Sequence, residues 1–200
     1  MYYFIKFIVN IAFHIAFNVH FEGRENIPDG ETVIYASNHR SYADPPLVGC
    51  SAKGKFAFMA KEELFKNRFF AWLIRSLGAF PVSRGKGDTG VLDTAVDRLK
   101  SGRSLIIFPE GTRSKDGKVH RGHSGAAVIS VRSQKRIVPV GIVFGEKLKF
   151  RTKVTVKYGK PINPTEYIDN FDELNSRQLV KLKNCYMEEI KKLVEGKENE

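Results

Sequence analysis

The stretch ETVIYASNHRSYADPP, residues 31–46, holds a strand, a loop and a helix start in sixteen residues. Its first seven are β-branched and apolar enough for a buried strand. The polar turn NHRSYA follows, and Asp44-Pro45-Pro46 then reads as a helix N-cap with a proline first turn. Working outward, the same strand-then-polar-loop grammar recurs in SLIIFPEGTRS, residues 104–114. Further strands are expected at KFAFM (55–59), AFPVS (79–83), IVPVGIVF (137–144) and KVTVKY (153–158). Helical spacing occupies 61–77, 88–100, 124–133 and 171–194, the last with apolar residues at 179, 182, 186, 190 and 193. Alternation of strand and helix defines the α/β class, and 200 residues suit a single sheet covered by helices around one core.

The composition narrows the partners. Thirteen Lys or Arg against Asp116 and Glu146 in residues 113–160 amount to the whole net charge of +11. An anionic group, whether phosphorylated substrate, anionic membrane or nucleic acid, is expected near that segment. No RNP-type aromatic motif, helix-turn-helix pattern or zinc finger accompanies the charge, so nucleic acid is not expected. Cys50 and Cys185 form no CxxC, and no His cluster has metal-ligand spacing, so neither a disulfide framework nor a metal site is expected. The location implied is reducing and faces the cytoplasm.

Residues 1–21, MYYFIKFIVNIAFHIAFNVHF, place Lys6, Asn10, His14 and Asn18 four apart, a narrow polar stripe on an otherwise apolar helix. The apolar arc is wider than the roughly 100° usual for a surface helix, and no signal-peptide cleavage pattern or long uninterrupted apolar span is present. A helix lying in a membrane interface over 1–21, ahead of a domain over 22–200, is the organisation expected, on the cytoplasmic face of the cell membrane in a peripheral or monotopic mode. The run FFAWLI, residues 69–74, exceeds one helix face; burial on all sides is expected, with an acyl groove or lipid contact as the other reading.

In the first loop, His39 and Asp44 are close enough in sequence for the carboxylate to fold back onto one ring nitrogen and leave the other basic, a His-Asp pair without a serine. Read alone, Asp44 is better accounted for as a helix cap and His39 as a turn residue. In the second loop, Gly111 can present backbone N–H groups to an anion, and Arg113 can grip two phosphate oxygens at once. A surface Glu110–Arg113 pair is the plainer alternative. Arg84, after the strand at 79–83, is a further candidate phosphate ligand.

These segments together resemble the glycerolipid acyltransferase family, most closely the 1-acylglycerol-3-phosphate (lysophosphatidic acid) acyltransferases. His39 to Asp44, preceded by Asn38, is similar to the family's His-x4-Asp block, and Glu110-Gly111-Thr112-Arg113 to its Glu-Gly-Thr-Arg block. Gly78 to Arg84 and Val138-Pro139 fit two weaker blocks, and Lys61 stands where the family commonly has a lysine. The resemblance covers residues 17–142. One departure is Gly122-His123, where relatives often carry an aromatic and a basic residue.

The resemblance implies His39 as base and Asp44 as its orienting carboxylate, with Asn38, Lys61, Arg84, Glu110, Gly111, Thr112 and Arg113 binding substrate. It implies transfer of an acyl group from acyl-CoA or acyl-acyl-carrier-protein to lysophosphatidic acid at a membrane surface, giving phosphatidic acid, with no resident cofactor. Glycerol 3-phosphate or another lysolipid is the alternative acceptor. From a different class, a non-catalytic basic module binding anionic lipid or nucleic acid is the competing reading.

Overall fold

The computed structural model describes residues 1–51, 54–82, 89–171 and 173–196. Its centre is one seven-stranded sheet: β1 (Asn18–Glu22), β2 (Ile34–Ser37), β3 (Lys55–Lys61), β4 (Ala79–Val82), β5 (Arg103–Ile107), β6 (Ile137–Val143) and β7 (Lys153–Tyr158), ordered β1-β7-β6-β2-β5-β3-β4. All neighbours are parallel except β6 and β7, so β2 to β6 end on one edge of the sheet and β1 and β7 begin there. The α/β expectation of one sheet covered by helices holds.

Both faces are covered because the central strands are apolar on both sides. Ile34 and Ala36 pack with the helices α4 (Thr89–Lys100), α5 (Gly125–Ser133) and α6 (Ser176–Glu195). The alternate residues Val33 and Tyr35 join Leu47 and Val48 of α2 (Asp44–Ser51) on the other face, with Tyr2 and Phe13 of α1 (Tyr2–Ala16) packed against them. In α6, Leu179, Leu182, Tyr186 and Ile190 are buried at helical spacing, and Asn175 caps its start by accepting from the Arg177 and Gln178 N–H groups.

Several boundaries differ from the sequence expectation. The first helix stops at Ala16 instead of reaching 21, because Asn18–Glu22 pairs along β7 and alternates exposed with half-buried residues, Val19 and Phe21 turning inward. Asn18 therefore lies on a strand and not on the helical stripe. The helix expected over 61–77 is split: β3 runs through Lys61, a short 3-10 turn covers Glu62–Phe65, and α3 (Arg68–Ser76) begins only after Asn67, whose side chain accepts from the Phe70 N–H. FFAWLI is not buried on all sides. Ala71 and Ile74 are buried, whereas Phe69, Phe70 and Trp72 are exposed.

The turn from α3 into β4 depends on Gly78, which has φ +97° and lies so close to β3 that a Cβ would collide with the Phe56 carbonyl oxygen. Gly78→Ala is expected to destabilise the fold by roughly 2–4 kcal/mol, left-handed strain alone costing about 1–3. Urea unfolding midpoints of the two proteins measure it; an unchanged midpoint would mean the turn relaxes freely.

Candidate active site

The site grows from the point where β2 stops pairing. Asn38 continues the sheet with its side chain: its Nδ2 donates to the Ile142 carbonyl at 3.0 Å and its Oδ1 accepts from the Ile142 N–H at 2.7 Å. The chain then turns, and Asp44 reaches back beneath the loop. Its Oδ2 accepts from the Arg40 N–H at 2.6 Å and the Ser41 N–H at 2.7 Å, and lies 2.8 Å from Nδ1 of His39. Asp44 is thus a brace for the loop before it and not a cap for the helix after it. Pro45 and Pro46 have no N–H to be capped, which explains the difference.

A carboxylate accepts and does not donate, so the proton between the two side chains sits on Nδ1 of His39 and Nε2 is the basic nitrogen. Asp44 is fully buried while the imidazole keeps 16% of its surface exposed, the arrangement of a shielded orienting group and an accessible base. The ring stacks on Phe108, centroids 4.1 Å apart, which fixes its remaining rotational freedom.

The loop after β5 is stitched to this one. Glu110 accepts the His39 N–H on Oε1 at 3.1 Å and the His120 N–H on Oε2 at 3.0 Å, and the Ser114 N–H donates to the His39 carbonyl at 2.7 Å. Burial pushes the Glu110 carboxyl above the ordinary carboxylate range, against the pull of those two N–H donors. Farther along, Asp116 accepts from Ser114 Oγ, the Lys118 N–H and His120 Nε2, and these hydrogen bonds hold its carboxyl down to about 2. Arg113 lies over the Tyr42 ring, its guanidinium carbon 3.9 Å from the centroid, and donates to the Tyr42 hydroxyl at 3.2 Å. The ring contact and the hydroxyl bond hold the guanidinium in place, and a guanidinium carries further N–H groups that can grip an anion in bidentate fashion.

His39, Gly111, Arg113 and His123 share the lining of a cavity of about 1080 Å³. Apolar side chains supply most of the rest, among them Phe58 and Met59 of β3, Leu73 and Ile74 of α3, and Val9 and Phe13 of α1. A basic nitrogen, a planar cation and a long apolar chamber thus belong to one space.

The structure brings together His39, Asp44, Glu110, Gly111 and Arg113, and places Lys61 on the same cavity wall at the end of β3. Asn38 is committed to Ile142, and Thr112 is exposed; neither lines the cavity. Both Glu110 oxygens hold backbone, so its visible work is to join the two loops. Arg84 lies outside the described residues. The sequence reading did not single out Phe108, Tyr42 or Arg40. Arg40 donates to the Phe144 and Gly145 carbonyls at 2.7 and 3.0 Å and stacks on the Phe144 ring, tying the His39 loop to the end of β6. Only Arg40 carried any signal, as a second basic residue beside His39. His123, marked in the sequence as a departure, has its ring against Gly111. Among the described residues no group of His, Cys, Asp and Glu is placed to hold a metal ion.

A strand-end histidine braced by a buried aspartate opens onto an apolar chamber that an arginine also lines, and the chain belongs to the acyltransferase family, whose pattern matches residues 18–143. It is 35% identical over 195 residues to the 1-acyl-sn-glycerol-3-phosphate acyltransferase of Streptococcus pneumoniae, covering 94% of this chain and 70% of that one. It is 30% identical over 142 residues to LPAT1, a chloroplastic protein of the same name from Arabidopsis thaliana, covering 69% of this chain and 39% of that longer one. The crystal structure of the 1-acyl-sn-glycerophosphate (LPA) acyltransferase PlsC from Thermotoga maritima superposes with a TM-score of 0.78 at 31% identity, over 97% of this chain and 78% of that one.

Asp44→Asn keeps the size of the brace but lets an amide N–H face Nδ1 or a backbone donor. Its turnover is expected to fall roughly 10²–10⁴-fold, as for His39→Ala, the contribution of a positioned base. Turnover measured with thermal midpoints checks this; an Asp44→Asn protein that turns over near the original rate removes Asp44 from the mechanism.

Proposed function

We propose that this enzyme moves a fatty acyl group from an acyl thioester to the free hydroxyl of 1-acylglycerol 3-phosphate, giving phosphatidic acid and a free thiol. The observation that carries the reading is the single cavity that His39, braced by Asp44, shares with Arg113 and a long apolar wall. Nε2 of His39 takes the proton of the acceptor hydroxyl as its oxygen attacks the thioester carbonyl. The tetrahedral intermediate collapses with cleavage of the C–S bond, and the imidazolium returns the proton to the departing thiolate. The buried Asp44 carboxylate stabilises the transient imidazolium. No covalent acyl-enzyme and no resident cofactor enter these steps, because the thioester is already activated.

Arg113, held against the Tyr42 ring, takes the acceptor phosphate, with Lys61 as a second cation lining the same cavity. The apolar chamber takes an acyl chain. Fixing the phosphate and the chain places the hydroxyl within reach of Nε2, so that binding energy remote from the reaction lowers its barrier. Acyl-CoA or acyl-acyl-carrier-protein is the donor, and release of thiol with each, in the presence of lysophosphatidic acid, tests the reading. A protein that binds lysophosphatidic acid but releases no thiol with either donor would be a lipid-binding module.

The acceptor is drawn from the cytoplasmic surface of the cell membrane, where α1 holds the protein. This helix is apolar on its outer face as well as on its inner one. Lys6 is half-buried, donating to the Gly54 carbonyl at 3.2 Å, while Phe4, Phe7, Ile8, Ile11 and Ile15 are exposed. No helix among the described residues is long and apolar enough to cross a membrane, which fits a helix lying in one leaflet. Removing residues 1–21 would strip β1 from the sheet, so substitution tests the anchor better than truncation.

Arg113→Lys retains charge and loses the planar two-oxygen grip, so the KM for the acceptor is expected to rise about tenfold or more while that for the donor hardly moves. Equal effects on both substrates would take Arg113 out of the phosphate site. Phe4→Ser/Phe7→Ser/Ile11→Ser is expected to release the protein from vesicles in flotation while thiol release with a short-chain, water-soluble acceptor continues; retention on the vesicles would rule out α1 as the anchor.

A further inference from the structure

Strands β6 and β7 pair antiparallel as a hairpin, and its tip departs from what a solvent-facing turn needs. Residues 145–153 read GEKLKFRTK, with Phe150 75% exposed between Lys149 and Arg151. The side chains of Lys147, Lys149 and Arg151 are exposed and have no carboxylate partner among the described residues. An exposed aromatic ringed by unpaired cations is costly in water and well matched to a surface that is apolar beneath an anionic layer.

Its position supports the match. The Arg151 N–H donates to the Ala16 carbonyl at 2.6 Å, pinning the hairpin tip to the end of α1, and Phe150 and Arg151 line a groove of about 510 Å³ with the outward-facing Phe7, Ile11 and Ile15. The tip and the outward face of α1 therefore form one continuous surface. Because the hairpin follows β6, it lies on the sheet edge where β2 and β5 end, and Arg40 bonds it directly to the His39 loop.

We propose that the β6–β7 hairpin is a second membrane contact, in which Phe150 enters the acyl boundary while Lys147, Lys149 and Arg151 engage anionic lipid headgroups, seating the mouth of the site on an anionic membrane. This rests on the reading of α1 as a membrane helix and adds to it a lipid preference that the uncharged outward face of α1 cannot supply.

Flotation of the full chain with vesicles of phosphatidylcholine alone and of phosphatidylcholine with equimolar phosphatidylglycerol tests it. Lys147→Gln/Lys149→Gln is expected to weaken binding to the anionic vesicles by roughly fivefold per lysine and leave binding to neutral vesicles nearly unchanged. Phe150→Ser is expected to weaken both by about tenfold, with thiol release from a water-soluble acceptor preserved. Trp72 is the single tryptophan, so Trp72→Phe/Phe150→Trp reports on the tip alone; its fluorescence is expected to be quenched by brominated acyl chains. Unquenched emission from vesicle-bound protein, or a lipid preference that survives the lysine substitutions, overturns the proposal. If only the α1 serine variant is released, α1 stands as the anchor and the hairpin falls; if neither α1 nor hairpin variants are released, both readings fall.

Discussion

One carboxylate oxygen, Oδ2 of Asp44, holds the loop on which the chemistry depends. It gathers the His39 imidazole and the Arg40 and Ser41 N–H groups onto a fully buried point. A buried charge is tolerable only with such donors around it, and here the donors are what must be placed. The stabilisation of the anion and the alignment of the imidazole are thus one interaction. Loss of the carboxylate would leave two part-buried backbone N–H groups without this partner as well as a histidine free to choose its tautomer.

From that point outward each layer fixes the next. Glu110 and Ser114 bind the arginine-bearing loop to the backbone of His39, so His39 and Arg113 sit on one connected body. Arg40 extends the same body to the end of β6, and Asn38 ties it to Ile142. Both central loops emerge at the carboxyl ends of adjacent strands, β2 and β5, the position in open α/β sheets where side chains from separated segments converge. The seven strands supply the rigidity and the loops supply the function.

How much of this was legible in the sequence follows from the range of each interaction. His39 with Asp44 is a local contact, and Gly111 with Arg113 falls in one short loop; both could be read from spacing. Asn38 and Glu110 were picked out, but as substrate ligands, because their partners Ile142, His120 and the His39 backbone become neighbours only through the sheet. Phe108 as a stacking floor depends on the β2–β5 pairing in the same way. The helix at the N-terminus was recognised from its apolar arc, yet its end was placed too late. Val19-His20-Phe21 satisfies helical and strand periodicities alike over so few residues, and β7 decides between them. The aromatics of α3 were expected to be buried, with an acyl groove or lipid contact as the other reading, because apolar runs are read by default as core; Phe69, Phe70 and Trp72 are exposed.

The pairing of β1 with β7 carries a consequence for biosynthesis. Residues 18–22 take their places beside residues 153–157, so the first strand made has no neighbour in the sheet until most of the chain has left the ribosome. During that interval α1, with its aromatic outer face, precedes every element that will later hold its inner side. A nascent chain of this kind carries α1 as an amphipathic segment without its later neighbours, and the β1–β7 edge of the sheet closes only after residues 153–157 have been made.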